Sequence, residues 1–384
     1  MAVVATVLMA ASLAGSVYLG AAALAVRRFL RRPAAGAAAR PAPGAPVTVL
    51  KPLHGAEPGL YENLRSFCEQ RGAPCQILFG LREADDPAVA VVKRLIGEFP
   101  GRDLALVIDP RVSGSNFKVG NLENMLAHAS HDVLVIADSD MRVGPDYLAA
   151  VTAPLADPAV GLVTCLYRGV PAGGRAARLG AMFVSHGFLP SALLAEWLQP
   201  GRACFGATMA LRRSTLEALG GFAPLRDRLA DDNALGAAVR GLGLGIAVAP
   251  LLVDTIVAEA DLPALLRHEL RWARTIRLIA PLGYAASVVT HPVALGALAV
   301  LCAGASASSL AVFAVALAGR LAMVRAIDRA CALPRQPLAL VPLRDLLSFV
   351  VFVASFCGSH VAWRDRRFRI AADGRLVADG ETRA

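Results

Sequence analysis

The sequence predicts an α/β domain built on a mainly parallel sheet, carried between apolar helices at the two ends of the chain. Three observations lead there. From residue 47 to residue 137, short β-rich runs alternate with stretches of helical period, the pattern of a layered α/β sheet. Residues 2–26 carry no charge and are long enough to cross a bilayer. Residues 278–319 hold no acidic residue, lysine or arginine. The composition agrees: 56% of residues are hydrophobic and the mean hydropathy is +0.53, above the range of soluble domains.

The N-terminal run has no basic residues before it and is followed at once by Arg27, Arg28, Arg31 and Arg32. A cleaved leader carries its charges on the other side, so 1–26 reads as a signal anchor that leaves the next domain in the cytoplasm. The stretch 27–46, rich in Arg, Ala, Pro and Gly, reads as a linker. The folded domain spans 47–277. Within it 47–50, 77–81, 104–108 and 133–137 read as strands, and 59–70, 87–99 and 120–129 as helices. Ligands of such sheets sit beyond the carboxyl ends of the strands, which directs attention to Lys51-Pro52, the 83–87 loop and Asp138-Ser139-Asp140.

Beyond it, 278–363 reads as membrane segments. Residues 278–319 give two crossings joined by a turn near 304–309, and 346–363 form a third apolar run before the basic tail 364–384. Arg320, Arg325, Arg329 and Arg335 before this run, and Arg364, Arg366, Arg367 and Arg369 after it, are both cytoplasmic signals. Either 346–363 is re-entrant or interfacial, or one preceding crossing is wrong.

The net charge of +9 does not indicate nucleic-acid binding, because the arginines gather at the ends of apolar segments instead of alternating with aromatics. The seven cysteines lack metal-site spacing and read as reduced structural thiols.

Three motifs carry chemistry. Asp138-Ser139-Asp140 follows an apolar strand, and paired oxygen ligands there suit Mg²⁺ or Mn²⁺ bridged to substrate phosphates. Such a triplet alone is common in surface turns; its position after a buried strand raises it. Asp231-Asp232 are adjacent carboxylates whose repulsion favours one raised pKa, as a general base needs, although acidic residues also suit a helix N-terminus. His268-Glu269-Leu270-Arg271-Trp272 precedes the membrane segments, and Arg267, Arg271 and Arg274 share a helical face that also fits a plain juxtamembrane helix.

Taken in order, these elements resemble the lipid-directed and processive glycosyltransferases of the GT-A fold, and more narrowly the ceramide glucosyltransferase family, whose pattern is D, D, D, (Q/R)xxRW. The likeness covers residues 47–280. Val49-Leu50-Lys51-Pro52-Leu53-His54-Gly55 resembles the opening strand and loop, and Asp86 aligns with the first Asp, expected near the nucleotide. Lys118 and Asn121 fall in an N-x-K-x-x-N-L segment beside the donor, and Asp138 matches the second Asp, with Asp140 completing DxD. Asp232 matches the third Asp, the base that deprotonates the acceptor hydroxyl. Ser185-His186 matches a Ser-His pair of the ceramide enzymes, and Arg271 and Trp272 match the last motif. Two positions depart from the pattern: His268 stands where Gln or Arg is usual, and Asp231 where Glu is usual.

The resemblance implies an inverting, metal-dependent hexosyl transfer from a UDP-sugar to a membrane lipid alcohol. Alanine- and arginine-rich usage points to a bacterium and so to a multi-pass protein of the inner membrane. His-Glu-Leu-Arg-Trp-Ala-Arg is similar to the glycosyltransferases associated with hopanoid biosynthesis, which implies transfer of N-acetylglucosamine to a hopanoid polyol. The alternatives are a ceramide glucosyltransferase, a processive polysaccharide synthase, which needs more crossings, and a catalytically silent membrane scaffold.

Overall fold

The computed structural model describes residues 1–32, 45–72, 74–358, 360–363, 366–370 and 375–378. Most of the expected linker (33–44) and much of the expected tail lie outside the described residues.

Eight strands form one mixed sheet: β1 (Val47–Pro52), β2 (Cys75–Leu81), β3 (Asp103–Ile108), β4 (Val133–Ala137), β5 (Met141–Arg142), β6 (Val160–Pro171), β7 (Thr208–Arg212) and β8 (Gly245–Val257). Their spatial order is β3-β2-β1-β4-β7-β6-β8-β5. The β3-β2-β1-β4 half is parallel, as are β6 and β8, while β7 runs antiparallel to both β4 and β6. The helices of the sheet are α1 (Ala2–Leu30), which precedes it, then α2 (Leu60–Cys68), α3 (Ala88–Glu98), α4 (Phe117–Leu126), α5 (Tyr147–Thr152), α6 (Arg175–Phe183), α7 (Leu189–Leu198), α8 (Arg213–Ala218) and α9 (Asp231–Gly241). The period of two along β4 divides the core. Val135 and Ala137 pack on one face with Leu64 and Phe67 of α2 and Val92 and Leu95 of α3; Leu134 and Ile136 pack on the other with Leu122 of α4 and Leu216 of α8.

The expected strands and the first two helices stand within two residues of their predicted ends. The third begins at Phe117 instead of residue 120, because the Asn116 side chain accepts from the backbone N–H of Lys118 and Val119 and so caps the first turn.

The C-terminal part holds α10 (Leu262–Ile279), α11 (Pro281–Ala286), α12 (Pro292–Cys302), α13 (Ala307–Ala330) and α14 (Leu340–Ser355). Helix α1 and helix α13 are long and apolar enough to cross a membrane; so is the continuous 175–198 helix, but 56% of its apolar window is buried inside the protein. The expected first crossing is broken, with 281–290 and 292–302 meeting at a 70° bend. The turn expected near 304–309 is present, with Gly304 and Ala305 at positive φ. Helix α13 then runs past Gly319, so Arg320, Arg325 and Arg329 lie on a helix and not in a loop. Arg320 pairs with Asp345 at 2.7 Å and Arg325 approaches Asp328, one turn on, at 3.7 Å.

The expected third run is also corrected. Helix α14 stops at Ser355, and β9 (His360–Trp363) pairs antiparallel with β10 (Arg366–Ile370), which pairs with β11 (Leu376–Ala378). The two ends of α14 meet α6 and α10. Val341 packs with Met182 of α6, and just past the other end the Cys357 and Gly358 carbonyls accept from Arg274 and Arg277 of α10.

Helix α1 is packed, not merely tethered. Its Ser12 hydroxyl donates to the Pro292 carbonyl, and a Cβ added at Gly15 would lie 2.3 Å from the Val289 carbonyl oxygen. Only glycine permits that approach.

Candidate active site

The carboxyl ends of β1 and β4 and the first turns of α4 and α9 form one wall of a cavity of about 530 Å³; α10 forms the facing wall. The first wall is an acidic cluster threaded by one lysine. Lys118 Nζ lies 2.6 Å from Asp138 Oδ1 and 3.4 Å from Asp231 Oδ2. Burial acts to lower its pKa, but the charges of Asp138 and Asp231 outweigh that and raise it, so Lys118 stays protonated. Asp140 accepts a hydrogen bond from the Thr255 hydroxyl at 2.7 Å on β8. Its pKa is raised, first by burial and then by the neighbouring Asp138.

Asp231 and Asp232 occupy the first turn of α9, where the helix dipole favours negative charge. Asp232 Oδ2 accepts from the Gly206 N–H at 2.9 Å. A Cβ on Gly206 would come 3.3 Å from Asp232 Oδ2 and 3.7 Å from Asp138 Oδ2, so both carboxylates lie beside this glycine. Burial, followed by the charge of Asp231, pushes Asp232 up to about 6, where a carboxylate works as a general base near neutral pH.

Two carboxylates set one residue apart at a strand end suit a hard divalent cation, and Asp138 and Asp140 fit that role. Among the described residues no three His, Cys, Asp or Glu side chains gather as a closed metal site. The remaining ligands would be phosphate oxygens and water, as such cations prefer when they serve a diphosphate.

On the facing wall, Arg271 lines the cavity; its carbonyl accepts from the Thr275 hydroxyl, while its guanidinium has no ion pair or hydrogen bond among the described residues. Burial lowers its pKa, the signature of a cation without a nearby anion. Trp272 stands beside it, edge-on to His268 at 4.9 Å and within 6.3 Å of Phe183 and Phe188. His268 Nδ1 is 2.6 Å from Glu259 Oε1. Helix α10 is fixed from behind, where Glu269 forms a two-pronged pair with Arg344 at 2.8 and 2.6 Å.

Asp138, Asp140, Lys118, Asn121, His268, Arg271 and Trp272 therefore line one cavity, with Asp232 at its edge. Three expected residues stand apart. Lys51 is wholly buried and donates from Nζ to the Asp138 carbonyl at 2.5 Å, 4.0 Å above the Phe67 ring; burial pushes its pKa down to about 7. It supports the loop from beneath. Asp86 accepts from the N–H groups of Gly55 and Ala88 and so clasps two loops together. His186 sits in a π-helical turn and lines a second cavity on the far side of Trp272, with Nε2 2.7 Å from Asp328. Asn121 lines the donor side while its amide donates to the Gly80 carbonyl at 2.8 Å. Thr255, Gly206 and Glu259 were not anticipated. The first two are small residues of no motif, and only the strand pairing that sets Thr255 opposite Met141 brings it to Asp140.

A mixed, mostly parallel sheet with carboxylates after its fourth strand is the architecture of the GT-A glycosyltransferases. The mannosyltransferase PcManGT from Pyrobaculum calidifontis, solved with GDP-Man and Mn2+, superposes with a TM-score of 0.52 at 22% identity, over 91% of this chain and 99% of that one. Residues 7–376 match glycosyl transferase family 21, and the chain belongs to that family. Ceramide glucosyltransferase 1 of Caenorhabditis elegans is 26% identical over 213 residues, 54% of this chain and 45% of its own length. Ceramide glucosyltransferase 3 of the same organism is 26% identical over 233 residues, 59% of this chain and 50% of its own. The chain thus spans about half the length of these curated relatives. Within that family its likeness is to the ceramide glucosyltransferase-like group.

Proposed function

We propose that the protein transfers a hexose, with inversion, from a UDP-sugar to an uncharged lipid alcohol supplied by the bilayer. The observation that carries this reading is the cavity in which Asp138, Asp140 and Lys118 face Arg271 and Trp272, with Asp232 at its edge. Asp232 takes the proton of the acceptor hydroxyl as that oxygen attacks the anomeric carbon. Arg271, free of any carboxylate, meets the charge that develops on the leaving diphosphate. Lys118 holds Asp138 and Asp231 apart in register and balances their charge. A divalent cation, Mg²⁺ or Mn²⁺, on Asp138 and Asp140 would supply further neutralisation of that leaving group.

The finer assignment follows from the sequence resemblance: N-acetylglucosamine as the sugar and a hopanoid polyol as the acceptor, with ceramide glucosylation as the second reading. The catalytic domain faces the cytoplasm of a bacterial inner membrane, α1, the bent 281–302 pair and α13 cross, and α14 lies at the interface. Membranes containing the protein, incubated with labelled UDP-sugars and lipid extracts, are expected to yield a lipid bearing a single sugar. Polymer in place of that product would overturn the reading in favour of a processive synthase.

Thr255→Val tests the metal assignment. Removing the hydroxyl that steadies Asp140 is expected to weaken the apparent Mn²⁺ affinity of donor turnover by about 10–100-fold, as loss of an outer partner of a metal ligand does. An unchanged Mn²⁺ titration would remove Asp140 from the metal site.

A further inference from the structure

The cavity behind Trp272, about 280 Å³ in volume, shares Phe183, Glu269 and Trp272 with the catalytic cavity and is otherwise walled by α1, α7 and the C-terminal helices. Its charges cancel. Arg320 pairs with Asp345 at 2.7 Å, and Glu269 pairs with Arg344. Among apolar helices such pairs are costly and mark a working site. With both paired, the chamber offers a ligand no net charge, which disfavours a phosphorylated lipid head.

Its hydroxyls are biased as well. Ser287 donates to the Tyr284 carbonyl at 2.6 Å, Thr290 to the Ser287 carbonyl at 2.8 Å, and Ser191 to the Gly187 carbonyl at 2.6 Å. Tyr18 lies 2.5 Å from Ser191 Oγ, and with the serine proton already spent it is the tyrosine that donates. Each of these four oxygens has given away its proton and keeps lone pairs, whereas Ser348 Oγ, also in the lining, accepts from Arg344 at 3.2 and 2.9 Å. His186 adds a further polar atom: its Nε2 lies 2.7 Å from Asp328, and its buried Nδ1 has no hydrogen-bond partner among the described residues. A wall of unused acceptors beside apolar surface calls for a ligand that is neutral, apolar in body and a donor of hydrogen bonds.

We propose that this chamber is the acceptor site, that it selects an uncharged amphiphile through its O–H groups, and that Trp272 is the partition across which the selected alcohol meets the donor. The proposal rests on the transferase reading for what the bound alcohol is used for, but not for its being bound.

The test uses the full-length protein in detergent micelles with Trp197 and Trp363 replaced by Phe, leaving Trp272 of the three tryptophans as reporter. The probes are 11-bromoundecan-1-ol, whose bromine quenches indole fluorescence, and its O-methyl ether, which lacks the donor. The alcohol is expected to quench saturably and to bind about fivefold more tightly than the ether, the worth of about one net hydrogen bond. In the Ser287→Ala, Thr290→Val double variant the alcohol is expected to fall to the level of the ether. Equal quenching by the two probes in the parent protein, which no folding defect can cause, would overturn the proposal. So would a double variant that still prefers the alcohol. Metal-dependent hydrolysis of UDP-sugar, followed on the same samples, reports the transferase reading separately: hydrolysis without alcohol preference sinks the chamber alone, and alcohol preference without hydrolysis sinks the transferase reading alone.

Discussion

Asp232→Asn is expected to abolish lipid glycosylation while leaving donor affinity close to that of the parent. The carboxylate accepts the acceptor's proton, and loss of a positioned base costs about 10²–10⁴ in rate. Donor binding should survive because the cavity that would hold the diphosphate is lined by Asp138, Lys118 and Arg271, with Asp232 only at its edge. The pH profile gives an independent check. A base must be ionised to act, and burial with the Asp231 charge holds Asp232 up at about 6. The rate of the parent enzyme is therefore expected to rise with pH through about 6 and level off above it. Below that point it should fall about tenfold per unit, since only the ionised fraction works. In D232N this acidic limb should vanish from whatever rate remains. A variant that turns over at the parent rate, or keeps the limb, removes Asp232 from the mechanism.

The second large effect is on stability. Arg344→Ala is expected to destabilise the protein by about 3–5 kcal/mol, because it leaves Glu269 buried without its partner. Arg344 is 1% exposed and the Glu269 side chain 5%, so water cannot replace the lost bonds. Thermal unfolding in micelles measures the loss. A paired replacement, E269L with R344M, is expected to recover most of it, since removing both charges removes the unpaired one. Transfer activity should fall with R344A as well, because Glu269 lies two residues before Arg271 on the same helix and a looser α10 displaces both Arg271 and Trp272. An unchanged unfolding temperature for R344A would show that the pair does not hold α10.

These two residues differ in how far the sequence exposes them. Asp232 stands beside Asp231 in a motif, and Asp138 and Asp140 directly follow an apolar strand, so type and position could be read together. The parallel half of the sheet was legible for the same reason: each strand and helix is a local run with its own period. Glu269 and Arg344 are 75 residues apart, and nothing local to either names the other. The same holds for Thr255 and Asp140, 115 apart, and for Tyr18 and Ser191, 173 apart. Lys51 stands apart for a related reason. Its place after the first strand suggests a donor-binding residue, and the fold turns its side chain beneath the loop, onto a main-chain carbonyl and a phenyl ring. In the C-terminal part hydropathy marked which residues are apolar, but not that a helix would break at residue 291 or that Asp345 would draw Arg320 into a helix face.

The seating of α1 also bears on the order in which the protein is made. Ser12 and the Pro292 carbonyl it binds are separated by 280 residues, so at about 5–20 residues per second α1 emerges on the order of tens of seconds before its partner. On the membrane reading proposed above, the face of α1 that bears Gly15, Leu19 and Ala22 waits in lipid through that interval while the sheet folds outside. Lipid is an acceptable stand-in, because hydrocarbon chains solvate such a face as well as another helix does. The last helices to be synthesised displace it, and completion of the chamber wall is therefore among the final steps of assembly.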